Sequence, residues 1–361
     1  GMNAGLTRPL LPNANGLADS RLNTDRSEGN AFNGTGFFDI LFLKDFKFTF
    51  NVGVSLDETR RTTVQNPYFG QFADENGIIG KYHTRDFSHN LQQILNYTKV
   101  IGKHNVNVML GHEYYQRRQY LLYGSTANMF SPDNDELAGA VIDKQSATSY
   151  VITYNNEGYF GRAQYDYDGK YFFSASYRRD ASSRFHPSHR WGNFWSVGAA
   201  WIMSEEAALK SDWLNLLKLR ASYGISGRAD YGTDLYLDVY GTGGSYYFGK
   251  NPASISGMKI TQLGITDMTY EKSHKLNVGF DFIAFNKLSV TIDGFYDHRT
   301  DILVSGDNAV SSIFGLTAPN INNGVVNSYG VETSVRWADK IGDFNYQIGG
   351  MLTFNRNKII N

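Results

Sequence analysis

Apolar and polar side chains alternate along most of the chain, with the period of two that is typical of a β-strand. In FKFTFNVGVSL (46–56) the even-numbered positions are apolar, whereas the odd-numbered positions carry Lys, Thr, Asn, Gly and Ser. HKLNVGFDF (274–282) repeats the pattern from Leu276 to Phe282. Because successive side chains point to opposite sides of a strand, each segment has one apolar face and one polar face.

The stretch GYFGRAQYDYDGKYFFSASYRRDASSRF (158–185) joins two such strands through a tight turn. Asp168-Gly169 lies at its centre, and Asp-Gly is a strong signal for a type I′ turn, which requires positive φ at both positions. In all, the alternation predicts twelve strands, near 31–43, 46–60, 83–100, 104–124, 149–167, 170–184, 191–203, 216–227, 267–285, 288–304, 326–338 and 343–357.

Short turns alternate with longer connections along the chain. The short turns are predicted at Lys44-Asp45, Gly102-Lys103, Asp168-Gly169, Asn286-Lys287 and Lys340-Ile341-Gly342. The segment MSEEAALKSDWLNLLK (203–218) also falls on the short-turn side, and it predicts a short helix with Ser204 as its N-cap. Tight turns at one end of the strands and mostly long loops at the other are typical of outer-membrane β-barrels.

Composition narrows the function classes. The chain has 24 Tyr and 24 Phe but only 7 Pro, and no segment approaches the about 20 apolar residues that a membrane-spanning helix needs. The absence of Cys excludes disulfides and thiolate chemistry. With 34 basic and 35 acidic residues, the charge balance offers no reason to expect nucleic acid as a partner.

Two fold classes accommodate strands with one apolar face. A soluble β-sandwich or propeller buries that face against another sheet, whereas a membrane barrel turns it toward lipid. The barrel is favoured because several strands exceed the about 9–11 residues that cross a bilayer. Aromatic residues also lie near strand ends, for example Trp191, Trp195 and Trp337. The predicted fold class is therefore all-β, an antiparallel up-and-down transmembrane β-barrel.

Several blocks of sequence resemble one known family. The stretch 158–185, followed by RWGNFWSVGAAWIMSEE, is similar to a signature of the SusC/RagA-like TonB-dependent outer-membrane transporters. Further blocks follow in the order that the family shows: LLKLRASYGISG (216–227), MTYEKSHKLNVGFDF (268–282), GFYDHRTDILV (294–304) and NNGVVNSYGVETSV (322–335).

The resemblance implies a 22-stranded barrel with an N-terminal plug, located in the outer membrane of a Gram-negative bacterium. Such proteins import oligosaccharides or peptides, work with a SusD-like outer-membrane lipoprotein as a lid, and receive energy from the TonB complex through the plug. From the residues themselves we predict no enzyme and no cofactor, because no nucleophile–base arrangement is found in the sequence. Because neither plug nor TonB box is present, we expect about 12 strands of the barrel in residues 29–361, preceded by an extracellular loop or disordered N-terminal segment, 1–28.

Two alternative functions stay open at this stage. The twelve strands could close by themselves into a small passive porin-like barrel, because twelve is an even number of strands. The chain could also be a soluble all-β binding module. A plug with a TonB box upstream would favour the importer over the passive barrel. Both of these would have outer-membrane lipid as a partner, whereas the soluble module would not.

Candidate substrate-binding residues have an ordinary structural alternative in each case. Rings in the 228–266 connection could stack on sugars at the extracellular mouth, or they could pack on one another. Polar residues of the barrel interior could line the substrate path, or they could contact the plug. The residues concerned are Tyr240, Tyr246, Tyr247, Phe248, Asn277 and Asp281.

Arg178, Asp180 and Arg184 form the most charged part of the signature. They could contact a ligand, but a network of charges that holds strand ends and a loop is the favoured interpretation, since partly buried charges need partners. The acidic segment SPDNDELAG (131–139) offers oxygen ligands for Ca²⁺, yet it lacks the full EF-hand spacing, and a solvated loop is favoured. We therefore predict no metal site.

Overall fold

A computed structural model describes residues 16–68, 75–141, 145–248, 253–306, 316 and 318–360. A short helix, α1 (Gly16–Leu22), precedes fourteen strands in these ranges. The strands are β1 (Thr24–Phe42), β2 (Phe46–Gln65), β3 (Ile78–Ile101), β4 (His104–Ala127), β5 (Ser146–Tyr167), β6 (Tyr171–Ser182), β7 (Trp191–Ile202), β8 (Leu214–Arg228), β9 (Val239–Phe248), β10 (Ala253–Gln262), β11 (Glu271–Ala284), β12 (Leu288–Val304), β13 (Ile321–Ile341) and β14 (Phe344–Ile359).

Twelve of these strands form one antiparallel sheet in which nearly every strand pairs with its neighbour in sequence. The order is β1 to β8 followed by β11 to β14, whereas β9 and β10 pair only with each other. The predicted up-and-down arrangement of twelve strands is confirmed. The difference is the 228–266 connection, which holds a two-stranded hairpin that the alternation did not predict.

The turn between β5 and β6 has the backbone that the sequence predicts. Asp168 has φ of 57° and Gly169 has φ of 65°, so both residues lie in the left-handed region that a type I′ turn requires. Phe172 then pairs with Asp166, which fixes the register of the hairpin. Lys103 Nζ donates a 2.7 Å hydrogen bond to the Asp168 carboxylate from the adjacent turn.

The helix predicted over 203–218 is wrong. Only a 3-10 turn, Met203–Glu205, forms there, and β8 begins at Leu214. Leu217 and Leu219 pair with Phe282 and Phe280 of β11, so strand pairing takes the end of the segment from Leu214 onward. The residues that remain are fewer than the about 12–15 that an isolated helix needs, since helix nucleation is costly.

The start of the sheet also differs from the sequence boundary. β1 begins at Thr24, within the segment 1–28 that was expected to be a loop or disordered. The division between an N-terminal segment and the barrel stays a prediction. No helix in the described ranges is long and apolar enough to cross a membrane.

Contacts divide the chain into two units. The first comprises the described parts of 1–36, 52–90 and 115–154, and it has a small buried core of Val64, Ile79, Met129 and Ala140. The second comprises the described parts of 37–51, 91–114 and 155–361. Its buried core consists of Phe185, Phe194, Ile265, Met268 and Tyr270.

In the second unit the sheet has one apolar face that the described chain leaves uncovered. Phe173 and Val278, for example, are 55% and 47% exposed. An isolated soluble domain rarely exposes so large an apolar surface, whereas lipid would cover it in a membrane barrel. We call this side the apolar face, and the side that carries Ser174 and Asn277 the polar face.

Candidate functional site

The polar face is built from cross-strand rows that the strand register aligns. One row contains small and uncharged side chains almost throughout, and Asn277 lies in its middle. From β5 to β14 its members are Gln164, Ser174, Gly198, Ser222, Asn277, Phe295, Gly330 and Asn355. Amides and hydroxyls can both donate and accept hydrogen bonds, so this uncharged row can bind a neutral polar ligand.

The next two rows toward the short turns contain charged side chains, and three of these, Arg220, Asp281 and Asp293, bind one another. Arg220 of β8 lies opposite Gly279 of β11, which in turn lies opposite Asp293 of β12. The Arg220 guanidinium crosses this glycine to donate two hydrogen bonds to Asp293, of 2.7 and 2.8 Å. Its Nε donates to Asp281 at 2.9 Å, and Thr291 Oγ1 also donates to Asp281, at 3.2 Å. The Asp281 carboxylate is therefore engaged within the protein.

Arg178 and Asp180, which the sequence suggested as parts of one network, do lie together. Arg178 Nε contacts both carboxylate oxygens of Asp180, at 2.6 and 2.7 Å, and its Nη2 donates to Glu113 at 3.1 Å. Arg184 lies apart from them and donates to the Ala229 carbonyl at 2.7 Å and to Asp230 at 3.3 Å. The contact of Arg178 with Glu113 ties β6 to β4, whereas Arg184 ties the loop after β6 to the connection after β8.

An aromatic side chain on the polar face organises the long-loop end of these strands. Phe194 of β7 is buried, and the absence of a side chain at Gly192 and Gly227 provides the space for its ring. Tyr270 packs edge-on against it with the ring centres 5.3 Å apart. Tyr270 also donates hydrogen bonds of 3.1 Å to the Asp180 and Arg190 carbonyls. Strand alternation alone gave no signal for this core.

A depression of about 560 Å³ lies on the polar face nearer the short turns. Asn105, Asn107 and Gln164 contribute amide groups to its lining, and Asn107 donates to Thr98 at 2.8 Å. Gly198 also lines it, and a Cβ atom there would lie 3.0 Å from Ser174 Oγ. Sequence reasoning missed this site because its residues come from strands that are far apart along the chain.

The aromatic candidates lie in the separate hairpin rather than near Asn277. Tyr240 is in β9, pairs with Ile260 of β10 and is 57% exposed. Tyr246, Tyr247 and Phe248 belong to β9 by their backbone, but their side chains lie outside the described part of the structure. The candidate substrate residues are therefore divided between two sheets.

The acidic segment 131–139 binds basic side chains. Asp135 accepts from Arg26 at 3.4 Å and lies 3.8 Å from Lys81 Nζ, and Glu136 accepts from Lys81 at 3.0 Å. Asn134 Oδ1 accepts from the Glu136 backbone N–H at 3.0 Å. Across the described ranges, no group of three or more His, Asp or Glu side chains is arranged to hold a metal ion.

Comparison with known proteins identifies the protein family to which this sheet belongs. A sequence model described as "TonB dependent receptor-like, beta-barrel" matches residues 2–360. The chain belongs to this family. TonB-dependent receptors lie in the Gram-negative outer membrane and are transporters rather than enzymes, so the predictions of location and of a non-enzymatic role are confirmed. The alternative of a soluble binding module is wrong.

Among curated relatives, the TonB-dependent receptor SusC of Bacteroides thetaiotaomicron is 30% identical over 357 residues, which are 96% of this chain and 34% of SusC. The TonB-dependent receptor P39 of Formosa agariphila is 30% identical over 276 residues, 74% of this chain and 26% of P39. The chain thus spans about a third or less of these two relatives.

Solved structures show the same fold. A structure of the RagAB peptide importer in the closed-closed state matches with a TM-score of 0.84 and 24% identity, over 94% of this chain and 37% of the importer chain. The ferric-catecholate import receptor Fiu of E. coli K12 matches more distantly, with a TM-score of 0.57 and 13% identity, over 93% of this chain and 48% of Fiu. The predicted resemblance to SusC and RagA is confirmed.

Proposed function

We propose that this chain forms part of the barrel wall of a TonB-dependent importer of oligosaccharides or peptides. The polar face carries the proposal, because it combines an uncharged row of amides and hydroxyls with an amide-lined depression. The polar face of a membrane barrel surrounds its interior, and a solute that crosses the barrel meets these groups. Asn277, Asn105 and Gln164 are the proposed contacts with the solute or with the plug.

Two charged clusters on the polar face disfavour an anionic cargo. Arg220 is bound by Asp281 and Asp293, and Arg178 is bound by Asp180 and Glu113. Each arginine is matched by two carboxylates, so neither guanidinium is free to attract an anionic solute. The neighbouring amides and hydroxyls can instead form hydrogen bonds with uncharged groups. Sugar hydroxyls and peptide groups are solutes that such a wall can bind.

The candidate residues from the sequence analysis differ in how well they suit contact with the substrate. Asn277 is well placed in the uncharged row, whereas Asp281 is a weaker contact because Arg220 and Thr291 already engage its carboxylate. Tyr240 remains a proposed stacking surface for sugar rings at the extracellular mouth, together with the other aromatic candidates of β9. Arg178, Asp180 and Arg184 are proposed to stabilise the strand ends rather than to bind substrate.

The proposed partners follow from the relatives. RagAB is a peptide importer that resembles this chain in fold, and SusC resembles it in sequence. We propose a SusD-like outer-membrane lipoprotein as the lid of the complete protein, and the TonB complex as its energy source, acting through a plug domain. A passive porin-like barrel is the second candidate function, and it requires neither partner.

The test uses the full-length protein that contains this chain, purified from its native outer membrane with a tag. Mass spectrometry of the complex identifies the lipoprotein and any bound oligosaccharide or peptide. We expect uptake of that ligand by cells to cease when TonB is deleted. Uptake that continues without TonB, together with purification of the receptor without a lipoprotein, would establish the passive barrel instead.

A pair of substitutions tests the role of the depression. Gly198→Val fills the depression with a side chain that suits a strand, and we expect it to reduce ligand uptake. Ala175→Val is the matched control, because Ala175 lies on the adjacent strand β6, points to the apolar face and does not line the depression. Equal uptake by the two folded variants would remove the depression from the proposed transport path.

A further inference from the structure

Arg179 interrupts the apolar face of the sheet at a defined height. On β6 the residues of this face run from Tyr171 through Phe173 to Tyr177, and Arg179 is the next position of the same parity. The segment from Tyr171 to Arg179 has nine residues. A tilted strand of an outer-membrane barrel crosses the bilayer with about 9–11 residues. Arg179 therefore lies at one edge of the apolar band that crosses the bilayer.

The aromatic residues around Arg179 fix its position. Its guanidinium carbon lies 5.0 Å from the centre of the Trp191 ring, within the range of a cation–π contact. Trp191 in turn stacks on Tyr159, with the ring centres 6.1 Å apart. The side chain is thus held by rings that belong to the edge of the apolar band.

Arg179 has no counter-ion among the described residues. No described carboxylate lies within 4.0 Å of its guanidinium, although Arg178 beside it has two acidic partners. Glu157 is the acidic side chain on the same face, and it already accepts from Tyr159 Oη at 2.8 Å and contacts His112 Nε2 at 3.2 Å. The charge of Arg179 is therefore available to a group from outside the chain.

A second donor lies opposite the arginine. Asn193 of β7 pairs with Arg179 in the register, and its Oδ1 accepts from Tyr177 Oη at 2.8 Å. This contact leaves the Asn193 amide N–H₂ as a donor on the same face. A guanidinium and an amide side by side suit the several acceptor oxygens of a phosphate group.

The location identifies the source of the phosphate. The tight turn at Asp168-Gly169 lies at the other end of this hairpin, and tight turns of outer-membrane barrels are periplasmic. Arg179 and Asn193 therefore face the headgroups of the outer leaflet. We propose that they form a binding site for the phosphate of an outer-leaflet glycolipid. This site is independent of the cargo that the barrel carries.

The experiment uses the full-length receptor that contains this chain, purified in detergent. The receptor is incubated with equimolar lipid A and enzymatically dephosphorylated lipid A, and native mass spectrometry measures the ratio of the two bound lipids. We expect wild type to prefer the phosphorylated lipid by about tenfold or more, since hydrogen bonds to charged groups contribute about 1.5–3 kcal/mol. Arg179→Gln should remove most of this preference.

The matched control is Arg162→Gln, which removes an exposed arginine from the polar face of the neighbouring strand β5. It should keep the wild-type ratio, and Asn193→Ala should reduce the ratio in part. The proposal is overturned if wild type shows no preference, a result that needs no variant to fold. It is also overturned if Arg179→Gln keeps the ratio of Arg162→Gln, or if millimolar inorganic phosphate displaces the lipid.

Discussion

The Arg220 guanidinium reaches Asp293 across an intervening strand, with hydrogen bonds of 2.7 and 2.8 Å. Gly279 of the middle strand makes this contact possible, because any side chain there would occupy the path of the guanidinium. Three strands are thereby connected by one arginine in addition to their backbone hydrogen bonds. The relationship explains why a glycine lies in the middle of a strand, where it is usually unfavourable.

Gly279→Ala should destabilise the barrel. The added Cβ atom would lie 2.5 Å from Arg220 Cζ and from Asp293 Oδ1, so the bridge must shift or break. We expect a loss of about 1–3 kcal/mol in the free energy of unfolding, the usual cost of overpacking. Thermal unfolding in detergent measures it. Gly294→Ala is the control, because its nearest neighbour would be 3.9 Å away, and equal effects of the two substitutions would contradict the account.

Removal of Arg220 should leave two carboxylates without their main donor. Asp281 and Asp293 are both partly buried, with side chains 22% and 19% exposed. Arg220→Gln should therefore cost about 1–3 kcal/mol, the range for an unsatisfied polar group. In a double-mutant cycle, Asp293→Asn should recover part of this loss in the Arg220→Gln background. Simple additivity of the two losses would show that the bridge contributes no coupling.

Phe194→Ala should loosen the connection between β8 and β11 rather than the sheet itself. The ring packs in the buried core with Tyr270, Phe185 and Met268, and its removal leaves a cavity. Loss of a buried Phe costs about 3–5 kcal/mol. We expect faster trypsin cleavage within 228–270. Phe173→Ala, which removes an exposed ring from the apolar face, should leave this cleavage rate unchanged.

Glu206 should stabilise the fold at neutral pH and lose this effect at acidic pH. It accepts hydrogen bonds from Tyr171 Oη and Trp201 Nε1, and the first of these is the main cause that lowers the pKa of its carboxyl group. A carboxyl group with a lowered pKa in the folded state stabilises the fold above its unfolded pKa of 4.5. That contribution disappears as the pH falls through the lower folded value.

The comparison of wild type with Glu206→Gln checks this pH dependence. The variant should have the lower thermal midpoint at pH 7, and the two midpoints should converge as the pH falls below the ordinary carboxyl pKa. Glu205→Gln is the control, since Glu205 makes only a distant contact of 4.0 Å with Lys210. A difference that stays constant from pH 7 to pH 3 would show that charge on Glu206 has no role.

Strand alternation and turn chemistry predict most of this fold from sequence. A strong period-two pattern such as that from Leu276 to Phe282 requires that one face of the strand contact lipid or a protein core. Asp168-Gly169 fixes the position of a hairpin turn. The helix at 203–218 fails because a local preference cannot reveal that Leu217 and Leu219 have partners in β11. The β9–β10 hairpin was missed because its glycine-rich strand, VYGTGGSYYF, shows weak alternation.

The candidate site was only partly predictable. Arg178 and Asp180 are two positions apart on one strand, so their pairing follows from local geometry. Arg220 and Asp293 are far apart in sequence, and their contact depends on the register of three strands. Register and the space left by Gly279 are properties of the assembled sheet, and no pattern within one strand contains them.

The central claim is that the two faces of the sheet meet different solvents, lipid on one side and water on the other. Asn277 and Val278 are adjacent in β11 and point to opposite faces. The chain has no Cys of its own, so Asn277→Cys and Val278→Cys each add a single reporter thiol to it. Both are placed in the full-length receptor in liposomes and treated with a membrane-impermeant maleimide.

We predict that Asn277→Cys reacts with the maleimide, whereas Val278→Cys is protected. A fluorophore attached to Val278→Cys after denaturation and refolding should be quenched by brominated lipid, and one at Asn277→Cys should not. Equal maleimide reaction and equal quenching at the two positions, or the reverse assignment, would contradict the orientation of the sheet and the transport path proposed from it.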